Sequence, residues 1–317
     1  MKSLLYGVFL FLLTIFNPVT AKPFSDIVVF GGPLEDTGNF ASVFGELPPP
    51  FFKNRLSNGP LAVEIFAARL GLKLKPSLHR VGPVVGNNFS SSDAFAFGND
   101  PKDLPGQVDA YLASRNEEAD PDALYYIIIG GNEVVEAAFD PDDFTARQKV
   151  VDTVRAKGEV IKLLVAKGAK TILVSNLINF GITPALGAAN LSDRGAKLSQ
   201  IHNRLAEVML SRLERRLDFE LIRYDWDEFT NGAIKNADIL GFSNISDSCL
   251  DLLFTGECNF SSFLFFNEFF PTANVHELIA DDMLSILIRS RRHCEGESVN
   301  RRMCRHRRRI ISRFYRK

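Results

Sequence analysis

Apolar and polar positions along the chain follow two patterns. Short unbroken apolar runs end at glycine or turn residues, and between them lie long stretches whose apolar residues recur every three or four positions. Ile27-Val28-Val29-Phe30 stops at Gly31-Gly32-Pro33, and Leu124 to Ile129 stops at Gly130-Gly131. Thr171 to Val174 and Phe219 to Tyr224 are further runs of this kind. Each reads as a strand buried on both faces. Ala62 to Leu70, with Gly71 as its stop, Phe144 to Lys167, Asp193 to Leu217 with Ser192 as N-cap, and Ala273 to Ile288 read as amphipathic helices. Strands alternating with long helices predict an α/β fold, three layers deep, around a parallel sheet of about five strands. Sites in such sheets form in the loops after the strands, here those beginning at Gly31, Gly130 and Ser175.

Charge changes the picture at one end. The whole chain of 317 residues has a formal charge of −1, but residues 289–317 carry 12 Lys and Arg against Glu295 and Glu297, so the preceding body is acidic. The expected organisation is a signal peptide over 1–21, one domain over 22–288 and a basic, disordered tail over 289–317. The signal rests on Lys2, the apolar run Leu4 to Phe16 and the small residues Val19-Thr20-Ala21. It predicts a secreted, extracytoplasmic protein. The tail, with Arg301-Arg302 and Arg305 to Arg309, is expected to contact anionic surfaces, with no specific nucleic-acid binding. Export permits disulfides, and near spacing suggests Cys249–Cys258 and Cys294–Cys304 among the three pairings four cysteines allow. No C-x-x-C pair is present, so neither a metal nor another cofactor is expected. Asn88, Asn190, Asn244 and Asn259 open glycosylation sequons.

Phe30-Gly31-Gly32-Pro33-Leu34-Glu35-Asp36-Thr37-Gly38-Asn39 resembles the opening block of the GDSL (SGNH) ester-hydrolase family, F-G-D-S-L-S-D-T-G-N. Five more matches follow in the family's order: Arg55 to Pro60, Asn88 to Ala94, Gly130-Gly131-Asn132-Glu133, Asn176 to Pro184, and Phe265 to Thr272 with His276 beyond. The resemblance spans roughly 26–288. It implies the SGNH-hydrolase, flavodoxin-like α/β/α fold and, for intact members, hydrolysis of carboxylic esters.

The same alignment places different chemistry at the reacting positions. The family's nucleophilic serine falls on Pro33, which has neither a hydroxyl nor a backbone N–H for the oxyanion. Its base histidine falls on Phe270, its aspartate on Asn267 and its oxyanion glycine on Asp93. The oxyanion asparagine alone is retained, as Asn132, which serves either as a ligand donor or as a brace for loop backbone. The expectation is a secreted family member impaired or inactive by the serine route, binding a small acyl-ester or glycan ligand without turnover. One alternative is an active esterase with a relocated nucleophile, for which Ser90, Ser91, Ser92, His79, His276 and Glu268 are the available groups. The other is a relic without a selected role. His202 and His276 read as structural helix residues.

Overall fold

A computed structural model of the chain describes residues 23–296, the side chains of 291–296 excepted. The signal peptide, Cys304, the side chain of Cys294 and residues 297–317 of the basic tail lie outside the described residues, and so does the Cys294–Cys304 pairing.

In chain order the elements are β1 (Ile27–Gly31), α1 (Asn39–Phe44), α2 (Ala62–Arg69), α3 (Leu104–Ala113), β2 (Leu124–Ile128), α4 (Gly131–Phe139) and α5 (Asp143–Ala166). Then come β3 (Thr171–Ser175), α6 (Pro184–Ala188), α7 (Ser192–Arg216), β4 (Glu220–Tyr224), α8 (Trp226–Lys235) and α9 (Ala237–Leu240). The last are β5 (Asn244–Ser248), β6 (Phe263–Phe265) and α10 (Ala273–Gly296). The first four strands form one parallel sheet in the order β1-β2-β3-β4, and β5 and β6 pair separately.

A fifth position exists in the sheet without a regular strand. Beside the free edge of β1, Val29 N–H donates to Asn87 O, Phe89 N–H to Val29 O and Ser91 N–H to Gly31 O, a parallel pattern carried by an irregular segment. Counting that segment, the spatial order in chain terms is 2-1-3-4-5. This is the flavodoxin-like winding, which reverses direction between β1 and β2 and opens a crevice at their carboxyl ends. The strands alternate between two cores. Ile27 and Val29 pack with Phe66 of α2 and Ile279 and Met283 of α10, while Val28 and Phe30 pack with Val108 of α3 and Ile161 of α5.

Helix ends follow local chemistry. Gly71 closes α2 with φ +71°, its N–H reaching Ala68 O while Leu72 N–H reaches Ala67 O, the paired bonds of a Schellman stop. Ser192 is not the N-cap of α7 but its first residue. The capping position falls on Leu191, whose carbonyl accepts from Gly195 N–H. The helix α10 runs to Gly296, past the expected end at Ile288. No helix among the described residues is long and apolar enough to cross a membrane.

Candidate functional site

The loops after every strand of the sheet converge on one pocket of about 370 Å³. Gly32 to Glu35 follow β1, Asp93 to Phe95 follow the edge segment, and Gly130 to Asn132 follow β2. Leu177, Ile178 and Phe180 follow β3, Trp226 follows β4, and Phe269 and Phe270 come from the turn after β6. The volume falls within the roughly 300–1,000 Å³ usual for small-ligand sites, and the position is the switch point the winding creates. Four of the five sequence-derived positions, Pro33, Asp93, Asn132 and Phe270, line it.

Asn267 is not in the lining. It is buried, and its Oδ1 accepts from the N–H groups of Phe269 (3.0 Å) and Phe270 (2.8 Å), holding the turn that presents both rings. Asn132 sits in the wall, but its Nδ2 donates to Ser92 O (3.2 Å) and Ala94 O (2.8 Å). Both amide hydrogens are spent on loop backbone, which is the bracing role of the two open in the sequence. Asp93 does not face the pocket as a free charge. Arg80 grips it with two bonds of 2.8 and 3.0 Å, and Ser91 Oγ adds a third of 2.7 Å. Sequence reasoning missed Arg80, since its partner lies thirteen positions along the chain and no motif includes it.

No serine in the 90–92 block meets a histidine. Ser90 is fully buried with its hydroxyl unpartnered, Ser91 bonds Asp93, and Ser92 bonds Asp36. His276 Nδ1 accepts from Ala62 N–H at 3.1 Å, and burial pushes its pKa down to about 3, so it is a neutral brace between α10 and α2. His79 Nε2 lies 2.9 Å from Pro101 O, which fixes that nitrogen as the donor and leaves Nδ1 to accept from Ser77 Oγ at 2.6 Å. This Ser77–His79 pair was not foreseen, but Ser77 is fully buried and lies outside the pocket lining. Glu268 is exposed and outside the lining as well. Asn88, also in a sequon, is fully buried with Nδ2 on Glu35 O and Thr37 Oγ1, which leaves no amide free for a glycan.

Behind the pocket wall lies a charged cluster with no solvent exposure: Glu133 of α4, Lys157 of α5 and His202 of α7. Burial raises Glu133 to about 7, lowers Lys157 to about 8 and lowers His202 to about 3. Glu133 Oε1 accepts from Ala96 N–H, tying the 93–96 wall to α4. Lys157 Nζ lies 3.5 Å from His202 Nε2, and His202 Nδ1 lies 3.0 Å from Asn203 Oδ1. Asn203 in turn holds Leu177 through its backbone N–H (3.0 Å) and carbonyl (2.7 Å). Two walls of the pocket thus rest on this cluster. The sequence placed His202 correctly in a helix but gave no sign of its charged company.

The disulfide Cys249–Cys258 is formed, with the two Cα atoms 4.8 Å apart. It ties the end of β5 to the loop before β6, and neither cysteine is in the pocket lining.

The profile of the family described as GDSL-like Lipase/Acylhydrolase matches residues 27–283. A phosphatidylcholine-sterol acyltransferase of Aeromonas hydrophila is 28% identical over 188 residues, 57% of this chain and 53% of that protein. Lipase 1 of Photorhabdus luminescens is 28% identical over 206 residues, 63% of this chain and 30% of that protein. The chain therefore matches about half or less of these relatives' length. Among solved structures, a catalytic mutant of an acetylxylan esterase from Geobacillus stearothermophilus aligns over 82% of this chain and 93% of its own, at 14% identity and a TM-score of 0.42.

Proposed function

The chain belongs to the GDSL-like lipase/acylhydrolase family, and from that membership we propose that it is an exported acyl-binding member in which the family's serine mechanism does not operate. One observation carries the reading: the lining of the switch-point pocket holds Pro33 and Phe270 and no serine, threonine, cysteine, histidine or lysine. Acyl transfer needs a nucleophile beside a base. Loss of either costs about 10⁶ in turnover, and loss of an oxyanion donor a further ~10²–10³ in systems where each has been removed alone. The donor amide of Asn132 is engaged elsewhere, and Pro33 has no N–H to give. The lining is dominated by Leu34, Ile128, Val135, Ile178, Phe180 and Trp226, which favours an acyl chain over a glycan. Export is supported by the Cys249–Cys258 disulfide, a bond characteristic of oxidising compartments.

The test is hydrolysis of p-nitrophenyl butyrate by the wild type and by the revertant Pro33→Ser, Asn267→Asp, Phe270→His. Asp93 is left in place there, because Asp93→Gly would strand the Arg80 guanidinium, only 12% exposed. A further revertant removes both partners, with Asp93→Gly and Arg80→Leu. Wild type is expected to hydrolyse at the buffer rate and to resist a fluorophosphonate probe, while turnover appears in the revertants. Hydrolysis by the wild type well above buffer, or labelling of any of its serines, refutes the proposal.

A further inference from the structure

The family's nucleophile loop carries an acid that the lost chemistry does not account for. Glu35 follows Leu34 in the turn after β1, is 4% exposed and contributes to the pocket wall. Its Oε2 has no hydrogen-bond partner among the described residues. Nearby donors are idle too. The backbone N–H groups of Leu34, Gly131 and Asn132, all in the lining, have no acceptor among the described residues. Those of Gly131 and Asn132 are the first two of α4, a nine-residue helix entered through Gly130 at φ +119°. That end of the helix carries the positive pole of its dipole. Apart from Asp93 and Glu136, whose charges are paired, the pocket thus offers donors without acceptors in an apolar enclosure.

We propose that the pocket holds the carboxylate of a free fatty acid, its head between the N–H groups of Leu34, Gly131 and Asn132 and the carboxyl group of Glu35, its chain along the apolar lining. This rests on the acyl-binding reading above and names the ligand class. An acceptor-only head of negative charge answers these backbone donors and gains from the helix end as a neutral ester does not. Glu35 takes part as an acid. Burial raises its pKa well above that of an ordinary carboxyl group, so it presents an O–H. Charged groups around it leave room for one anion. Asp93 is matched by Arg80, and Glu136 by Lys149 at 2.7 Å. Tyr126 of β2, the titratable group coupled to Glu35, is itself raised far above neutrality by burial. Asp36 on the same turn is occupied by backbone and serine donors.

The experiment uses Trp226, the only tryptophan and part of the lining, as reporter. Its fluorescence is titrated with decanoate, methyl decanoate and decanol, in wild type, Glu35→Gln and Glu35→Leu, from about pH 6 to 9. Decanoate is expected to bind wild type about tenfold or more tightly than either neutral ligand, and to weaken toward alkaline pH as Glu35 ionises. Glu35→Gln keeps a donor and should bind decanoate with no such decline, whereas Glu35→Leu should lose about tenfold or more. Equal affinity for ester and decanoate, an unchanged Glu35→Leu, or a wild-type pH profile in Glu35→Gln overturns the inference. If Glu35→Leu does not fold, the Glu35→Gln profile decides alone. Decanoate is no substrate, so hydrolysis by wild type would refute only the proposed silence of the serine route. Silence of all three ligands would refute acyl binding itself, and this inference with it.

Discussion

Two halves of one motif have met different fates. In Asp36-Thr37-Gly38-Asn39 the family's residues are kept and every polar side-chain atom has a partner. Asp36 Oδ1 accepts from the N–H groups of Gly38 and Asn39, and its Oδ2 from those of Phe40 and Ser92 and from Ser92 Oγ. Asn39 donates to Asn88 O and Ser90 O, both at 2.8 Å, and accepts from Leu78 N–H. In Gly32-Pro33-Leu34-Glu35, immediately before, three of the four residues depart from the family, and the Leu34 N–H and Glu35 Oε2 stand idle at a pocket. A motif is thus two things joined in sequence. One part fastens the first loop to the edge segment, and the other, on the proposed reading, serves a ligand.

The contrast is sharpest in stability. Asp36→Ala leaves five donors without their acceptor in a site 2% exposed. It should cost roughly 3–4 kcal/mol, read as a lower urea midpoint at unchanged slope. A loss below ~1 kcal/mol would break the distinction. Asn132 is the family residue that sits on the border, retained in sequence yet turned to loop backbone. Asn132→Ala is expected to lose about 1–2 kcal/mol while decanoate affinity changes little. A large loss of affinity with unchanged stability would move it into the binding half.

The buried cluster that supports the pocket gives a pH test. Burial holds the pKa of Glu133 in the folded protein at about 7, above its ordinary value of 4.5. Its folded form therefore holds a proton that the unfolded chain releases between those values. Stability from this group is present below about 4.5 and is lost as pH rises to about 7. Wild type should lose stability relative to Glu133→Gln across that window, with a slope no steeper than ~1.4 kcal/mol per pH unit. Parallel melting curves for the two proteins from pH 5 to 7 would count against it. The smallest effect is expected at Pro33, half-exposed and three residues from Asp36. Pro33→Ala should change stability by less than about 1 kcal/mol. A drop as large as that of Asp36→Ala would show that the first half of the motif is structural too.

Much of the frame is legible in local pattern. The four buried runs became the four strands, and Gly71 stops α2 where a left-handed residue is needed. Such features depend on a residue and its near neighbours. The edge segment at 87–91 escaped this reading because it pairs with β1 without strand alternation, held by Asn39 and Asn88 side chains as much as by backbone. Among candidate site residues, Pro33, Asp93, Asn132 and Phe270 were found by order in the motifs, and they do share a pocket. What each does there was not readable. Whether Asp93 is a free charge depends on Arg80, and whether Asn132 faces a ligand depends on where Ser92 and Ala94 turn their carbonyls.

The sequence by itself determined the alternation of strands and helices, the family, and which side chains stand at the reacting positions, because periodicity and residue chemistry are carried along the chain. Tertiary structure alone decided which polar groups are answered and which are left idle. Partners such as Arg80 for Asp93 or Lys157 for Glu133 come from separate elements, and burial, which keeps Glu35 an acid and sets Glu133 near neutrality, is a property of the packed whole.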